Sequence, residues 1–266
     1  MYKQSLHVHS TFCDGADTPE DMIRTALEKG FDSVGFSGHS SMANKPGRVE
    51  AYKAEIRRLA AQYRDRIAVW CGLEWDLCSD AALEGYDYLI GTVHYLRKEG
   101  RVLGFDRNWE TVRALVEQEF GGDGLAFAKL YWESLATLPQ YGSFDILGHA
   151  DILCKHGERP DFVFDRADPR YRAMAREALR ALAGKIPLFE VNTGAIARGY
   201  RTTPYPDPFL LQELRALGFG AVVSSDCHDR RFLDCGYSQA FDLLRAAGFR
   251  EHYIYKEGGF VSEPLD

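Results

Sequence analysis

Seven short apolar runs alternate along the chain with stretches of helical periodicity, and that alternation points to a parallel α/β architecture. The predicted strands are 5–9, 33–37, 67–74, 88–94, 144–149, 187–192 and 221–226. They are rich in β-branched and aromatic residues, and most are bounded by Gly, Pro or Asp. The first helix opens at Thr18-Pro19-Glu20-Asp21, which supplies an N-cap, a proline at the first helical position and an acidic first turn; Gly30 marks its stop. Further helices are predicted over 50–63, 109–120, 125–138, 171–182, 208–217 and 239–247, with Gly218 and Gly248 placed as C-cap glycines after the last two. A closed or nearly closed barrel accounts for 266 residues better than two separate domains; an open doubly wound sheet is the rival. No repeat, low-complexity tract or linker marks a boundary, so residues 1–266 read as one domain. Residues 96–143 exceed a normal crossover. They read as a helical insertion beside the site, two helices joined at Gly121-Gly122-Asp123-Gly124.

Charge and cysteine usage narrow the function classes. With 32 Lys and Arg against 39 Asp and Glu, the net charge is −7, which disfavours a long nucleic-acid footprint but not a small anionic substrate. No window approaches the roughly 18 apolar residues of a membrane span. The start, Met1-Tyr2-Lys3-Gln4-Ser5, lacks the basic-then-apolar pattern of a secretory signal. The six cysteines include no C-x-x-C pair, so reduced thiols and a cytoplasmic location are expected.

Of the eight histidines, six fall at predicted strand ends. His7 and His9 end the first strand, His39 follows the second, His94 and His149 end the fourth and fifth, and His228 follows the seventh. Glu74 ends the third and Asp226 the seventh. Parallel α/β folds collect catalytic groups at these carboxyl ends. Alternate residues of a strand share a face about 6.5–7 Å apart, so His7-x-His9 and Asp226-x-His228 each aim two ligands the same way. Imidazole and carboxylate ligands bind at about 2.0–2.2 Å, and one ion or a close cluster bridges that gap. A lone histidine is more often a packed or hydrogen-bonded residue; the combination indicates a metal centre. Asp14, in Cys13-Asp14-Gly15, is a further ligand candidate if its loop folds back over the site, although Asp-Gly alone is a turn signal. His156 and His252 lack ligand spacing, Cys227 should face away from the metals, and the Arg-rich stretch 166–180 reads as a solvated helix face.

His7-Val8-His9-Ser10 with Asp14-Gly15, then Gly38-His39, Gly72-Leu73-Glu74, Gly91-Thr92-Val93-His94, Gly148-His149-Ala150-Asp151 and Ser225-Asp226-Cys227-His228, resemble the motif series of the PHP (polymerase and histidinol phosphatase) family, in the family's order. The resemblance implies a distorted (β/α)7, TIM-like barrel with a trinuclear metal centre. By that analogy His7, His9, Glu74 and Asp226 hold one ion, and Glu74 (bridging), His94 and His149 a second. Asp14, His39 and His228 hold the third. Mixed imidazole and carboxylate ligands accept Zn, Fe or Mn, singly or mixed. Glu74 and Asp226 would be catalytic by holding the ions that activate the attacking hydroxide. Clustered divalent ions about 3.5–4 Å apart suit phosphate-ester hydrolysis.

Arg198, in the loop after the sixth strand, is the first choice to clamp phosphate, and Arg159, after the fifth, is the second. Gly91-Thr92-Val93-His94-Tyr95 followed by Gly104-Phe105-Asp106 resembles the histidinol-phosphate phosphatase branch of the family. That branch implies hydrolysis of L-histidinol phosphate to L-histidinol and phosphate in histidine biosynthesis, with Asp106 as an acidic wall for the substrate's cationic end. The partners expected are a small phosphorylated metabolite and product phosphate, with neither nucleic acid nor membrane; the oligomeric state is left open. Rival functions are a nucleotide phosphatase, a 3′–5′ exonuclease and a non-catalytic metal-binding scaffold.

Overall fold

The computed structural model describes residues 2–265, so Met1 and Asp266, the ends of the predicted domain, lie outside the described residues. Its strands are β1 (Gln4–Ser5), β2 (Ser33–His39), β3 (Ala68–Asp76), β4 (Tyr88–Thr92), β5 (Tyr95–Lys98), β6 (Arg101–Gly104), β7 (Ile146–Leu147), β8 (Leu188–Asn192), β9 (Gly220–Ser224), β10 (Glu251–Lys256) and β11 (Gly259–Pro264). The helices are α1 (Pro19–Glu28), α2 (Arg48–Tyr63), α3 (Trp109–Phe120), α4 (Gly124–Leu135), α5 (Pro169–Leu182), α6 (Gly194–Ala197), α7 (Pro208–Ala216) and α8 (Tyr237–Ala246).

Seven strands form one parallel sheet in the order β1-β2-β3-β4-β7-β8-β9. A parallel bridge between Val8 and Cys227 draws its edges together, so the sheet is a nearly closed barrel. This excludes the open doubly wound alternative. The seam is thin: His9 N donates to Cys227 O at 2.9 Å and Cys227 N to His7 O at 3.2 Å. Helix α1 starts as its sequence indicates, with Thr18 accepting from Asp21 N at 3.2 Å.

Leu6, Tyr88, Ile90, Ile146, Leu188 and Val222 fill the barrel interior. Trp70, Tyr253, Tyr255 and Phe260 pack against this cluster, so the β10–β11 hairpin plugs the amino-terminal end. Tyr88 is fully buried and crosses the barrel because β2 and β3 present Gly35 and Gly72 to it, where any Cβ would collide with its ring or hydroxyl. The larger core lies outside the sheet, with Phe127, Tyr131 and Trp132 of α4 and Tyr171 of α5 fully buried in it.

The predicted runs 5–9 and 144–149 shorten to two residues each, for local reasons. The Tyr88 hydroxyl takes the Leu6 carbonyl, which interrupts the first strand. The His149 N–H is diverted to the Glu190 carboxylate at 2.6 Å, which ends β7. Residues 96–143 hold α3 and α4 but begin inside the β5–β6 hairpin, whose turn places Glu99 and Gly100 at φ of 52° and 77°. Among the described residues no helix is long and apolar enough to cross a membrane.

Gly72→Ala should therefore overpack the barrel against Tyr88 and cost about 1–3 kcal/mol. A urea midpoint that falls at unchanged slope would agree; an unmoved midpoint would contradict the packing described.

Candidate metal centre

The candidate ligands lie at the carboxyl mouth of the barrel, carried by the extended segment after β1, the ends of β2 and β3, and the turns after β4, β7 and β9. Glu74, 1% exposed, stands at the middle. Its Oε1 lies 2.9 Å from His149 Nε2 and 3.2 Å from His94 Nε2. Its Oε2 lies 3.3 Å from His7 Nε2, 3.5 Å from His9 Nε2 and 2.7 Å from His39 Nδ1. Asp226 Oδ1 approaches His9 Nε2 at 3.3 Å, His228 Nδ1 at 3.5 Å and His7 Nε2 at 3.8 Å. Asp14 Oδ1 is 3.3 Å from His228 Nε2 and 3.4 Å from His39 Nε2. Its loop does fold back: Gly15 N donates to Ser10 O and Ala16 N to His228 O.

Three sets of donor atoms converge: His7, Glu74 and His149; His7, His9 and Asp226; and His9, Asp14, His39 and His228. Compared with the ligand sets implied by the family resemblance, His7 also stands with Glu74 and His149, and His9 also reaches the Asp14 set. His94 stays beside Glu74 Oε1, its own Nδ1 3.3 Å from Asp76. His9 Nδ1 lies 3.4 Å from Cys13 Sγ, which leaves Nε2 for the interior.

A test for metal is whether these atoms satisfy one another without it. They do not. His7 Nε2 and His9 Nε2 are buried with no hydrogen-bond partner, although they face Glu74 Oε2 at 3.3 and 3.5 Å. Leaving such groups unsatisfied costs about 1–3 kcal/mol apiece. Donors on a tetrahedral ion with bonds of about 2.0–2.2 Å stand about 3.3–3.6 Å apart, which matches these separations. The residues fit divalent cations.

Electrostatics agree. Burial alone would raise Glu74, but His39, His7 and His94 hold it well below the usual carboxylate range. Burial likewise opposes ionisation of Asp226, and Arg198, His7 and His9 outweigh it. For Asp14 burial is the largest single influence and acts upward, but hydrogen bonds to His228 and His39 and the charges of both together drive it well down. His9 is pushed well below its ordinary value by burial and by His228 and His39. For His94 burial acts downward, but Glu74 and Asp76 lift it to about 10.

Arg198, just after α6, donates from Nη2 to Asp226 Oδ2 at 2.8 Å, and its Nη1 lies 2.9 Å from His228 Nδ1. This close approach needs Gly194, where a Cβ would sit 2.8 Å from both Arg198 Nη2 and Asp226 Oδ2. Asp226 itself is held at φ 46°, an uncommon conformation for a non-glycine residue and one that clusters at functional sites. A cavity of about 500 Å³ opens beside the cluster, lined by Asp14, His39, Asp76, His94, Tyr95 and Asp106 among others. Asp106 Oδ1 accepts from Lys155 Nζ at 2.8 Å. Arg159 is elsewhere: it is exposed, bonded to Asp161 at 3.0 Å and stacked over Trp109, and it lines a separate depression. Cys227 is buried and donates to Asp229 O at 2.9 Å, outside every ligand set.

Three residues at the centre had no part in the sequence reading. Asp76 accepts from His94 N at 2.6 Å, and its alternation with Glu74 was a usable signal. Glu190, a carboxylate inside the apolar run Leu188-Phe189-Glu190-Val191, was another. Lys155 carried no pattern.

Comparison with known proteins supplies the relations. The family model described as PHP domain matches residues 5–194. A Deinococcus radiodurans protein described as "Probable histidinol-phosphatase" is 28% identical over 264 residues, covering 92% of this chain and 93% of its own. The histidinol-phosphatase of Bacillus subtilis is 24% identical, covering 92% of this chain and all (100%) of its own. A histidinol phosphate phosphatase from Lactococcus lactis, solved with zinc, L-histidinol and phosphate, superposes with a TM-score of 0.74 at 23% identity, over 97% of this chain and 98% of its own.

Because the carboxylates raise His7, His39 and His94 against burial, these imidazoles carry protons near neutral pH until an ion displaces them. Metal affinity should thus rise with pH up to about 10, the value for His94, and loading should release protons. Calorimetric titration in two buffers of different ionisation enthalpy reads that release; identical heats in both would contradict it.

Proposed function

The chain belongs to the PHP domain family, and we propose that it is a metal-dependent phosphomonoesterase hydrolysing L-histidinol phosphate to L-histidinol and phosphate, in histidine biosynthesis. The observation that carries this function is the set of buried, mutually unsatisfied donors around Glu74, opening onto a cavity large enough for a small phosphate ester. The names of relatives that align along more than nine-tenths of the chain support the choice of substrate.

We assign the cluster three divalent ions, of Zn, Fe or Mn, shared among these overlapping sets so that each imidazole nitrogen serves a single ion. When bound, such ions lower the pKa of water and offset charge on phosphoryl oxygens. The chain's own residues do the rest. Glu74 sets Oε1 against His94 and His149 and Oε2 against His7, His9 and His39, and would hold ions from both oxygens, while Asp226 ties His9 to the Arg198 side. Arg198 is 30% exposed at the mouth and presents a planar fork suited to phosphate oxygens. Asp106 faces the cavity with Oδ1 bonded to Lys155, so its other oxygen is the acceptor for the substrate's ammonium. Arg159, paired on the surface with Asp161, leaves the phosphate clamp to Arg198.

Phosphate release from L-histidinol phosphate, nucleoside monophosphates and single-stranded DNA, measured on enzyme of known metal content, tests the assignment. L-histidinol phosphate should be turned over with the highest kcat/KM; preference for a nucleotide would overturn it. Arg198→Lys keeps a cation beside Asp226 but loses the fork. It should retain bound metal while KM and the inhibition constant for phosphate rise about 10–100-fold, the equivalent of one charge-assisted hydrogen bond. Unchanged phosphate inhibition would remove Arg198 from the clamp.

A further inference from the structure

The fully buried carboxylate of Glu190, in the middle of β8, belongs to none of the ligand sets. We propose that Glu190 is the positioning residue of the metal centre: it orients His7 and His149 without itself binding an ion. The proposal rests on the reading that the surrounding cluster holds divalent cations.

All the acceptor capacity of Glu190 is engaged. Oε2 lies 2.9 Å from His7 Nδ1 and also accepts from Ser224 Oγ. Oε1 accepts from His149 N at 2.6 Å and from Asn192 Nδ2 at 2.9 Å. Four donors around one carboxylate leave no oxygen lone pair directed at the centre, which separates Glu190 from Glu74.

Its partners lie on different strands. His7 follows β1, His149 follows β7, and Ser224 ends β9. β1 and β9 form no regular ladder; they meet through the Val8–Cys227 bridge with its flanking hydrogen bonds and through Ser5 and Ser225. From β8, Glu190 thus holds one ligand by its ring and another by its backbone, on either side of that join.

The ring contact also selects a tautomer. An ionised carboxylate only accepts hydrogen bonds, so His7 Nδ1 keeps a proton for Glu190, and Nε2, on the side of Glu74 and Asp226, is the nitrogen left to give its lone pair to an ion. Burial in a site of fixed donors makes this orientation costly to supply in any other way. Outer partners of this kind typically change metal affinity 10–100-fold when removed.

The experiment compares wild type, Glu190→Gln and Ser224→Ala, each stripped by a chelator and reloaded with Co²⁺. Affinity is read by competition with a chromophoric chelator, geometry by the visible Co²⁺ absorption, and stability by urea unfolding of the metal-free forms. Glu190→Gln should bind Co²⁺ 10–100-fold more weakly, with an altered spectrum. Ser224→Ala removes a hydrogen bond from the same carboxylate but spares both ligand contacts, so it should bind like wild type. Equal losses in both variants, tracking their stabilities, would reduce Glu190 to a structural role and overturn the proposal. So would wild-type affinity in Glu190→Gln. Should that variant not fold, ¹⁵N-histidine spectra of Zn-loaded wild type decide: a proton on His7 Nδ1 agrees, and one on Nε2 overturns it. Wild type that takes up no Co²⁺ would instead overturn the metal reading itself.

Discussion

Glu74 is a carboxylate taken out of water and faced by nitrogens of His7, His9, His39, His94 and His149, and the whole carboxyl end of the barrel is arranged around that burial. A buried ion costs several kcal/mol unless its surroundings compensate. Here the compensation comes from imidazoles of which His7 and His9 keep Nε2, and His149 keeps Nδ1, without a hydrogen bond, an unfinished arrangement for protein atoms alone. Divalent cations complete it. The same demand explains the lowered Asp14 and Asp226 and the raised His94, since these carboxylates and Glu74 are pulled towards ionisation by positive neighbours.

Satisfying that demand requires side chains from strands far apart in the sheet to meet at one point. The barrel does this by closing β1 against the segment after β9, and the join is short because polar groups near it have other obligations. Leu6 gives its carbonyl to Tyr88, and a 2.9 Å hydrogen bond between Ser5 and Ser225 then bridges the gap in place of a ladder. Tyr88 can cross the interior only because Gly35 and Gly72 leave room. The hairpin plug below and the metal cluster above therefore occupy opposite ends of one filled barrel, with an apolar layer between them. Substrate access is confined to the mouth, where the β5–β6 hairpin contributes Tyr95 and Gly104 to the cavity wall.

How much was legible in the sequence follows from how local each signal is. The His7-x-His9 and Asp226-x-His228 spacings report on one extended segment each, and the alternation of runs placed their ends on a common face. All the helices but the one-turn α6 were readable, α3 to the residue, because Asn108 and Gly121 mark its ends with a side-chain cap and a left-handed turn. Glu190 and Lys155 were not singled out because the contacts that define their roles, Glu190 with His7 and His149 and Lys155 with Asp106, join residues more than forty positions apart. Arg159 sits in a loop after the fifth strand, as Arg198 does after the sixth, yet a neighbouring Asp161 and the face of Trp109 hold it at the surface. Loop position alone does not say which way a long side chain turns.

The sequence by itself determined the parallel α/β class, the places along the chain of the seven barrel strands and the chemical types gathered at their carboxyl ends, because periodicity and alternate-residue spacing are properties of the local backbone. Only the tertiary structure decided which oxygen of Glu74 faces which imidazole, that Glu190 spans the seam, and that Arg198 rather than Arg159 reaches the centre. Those outcomes depend on where strands distant in the chain are brought together when the sheet curls into a barrel, and no local pattern encodes that distance.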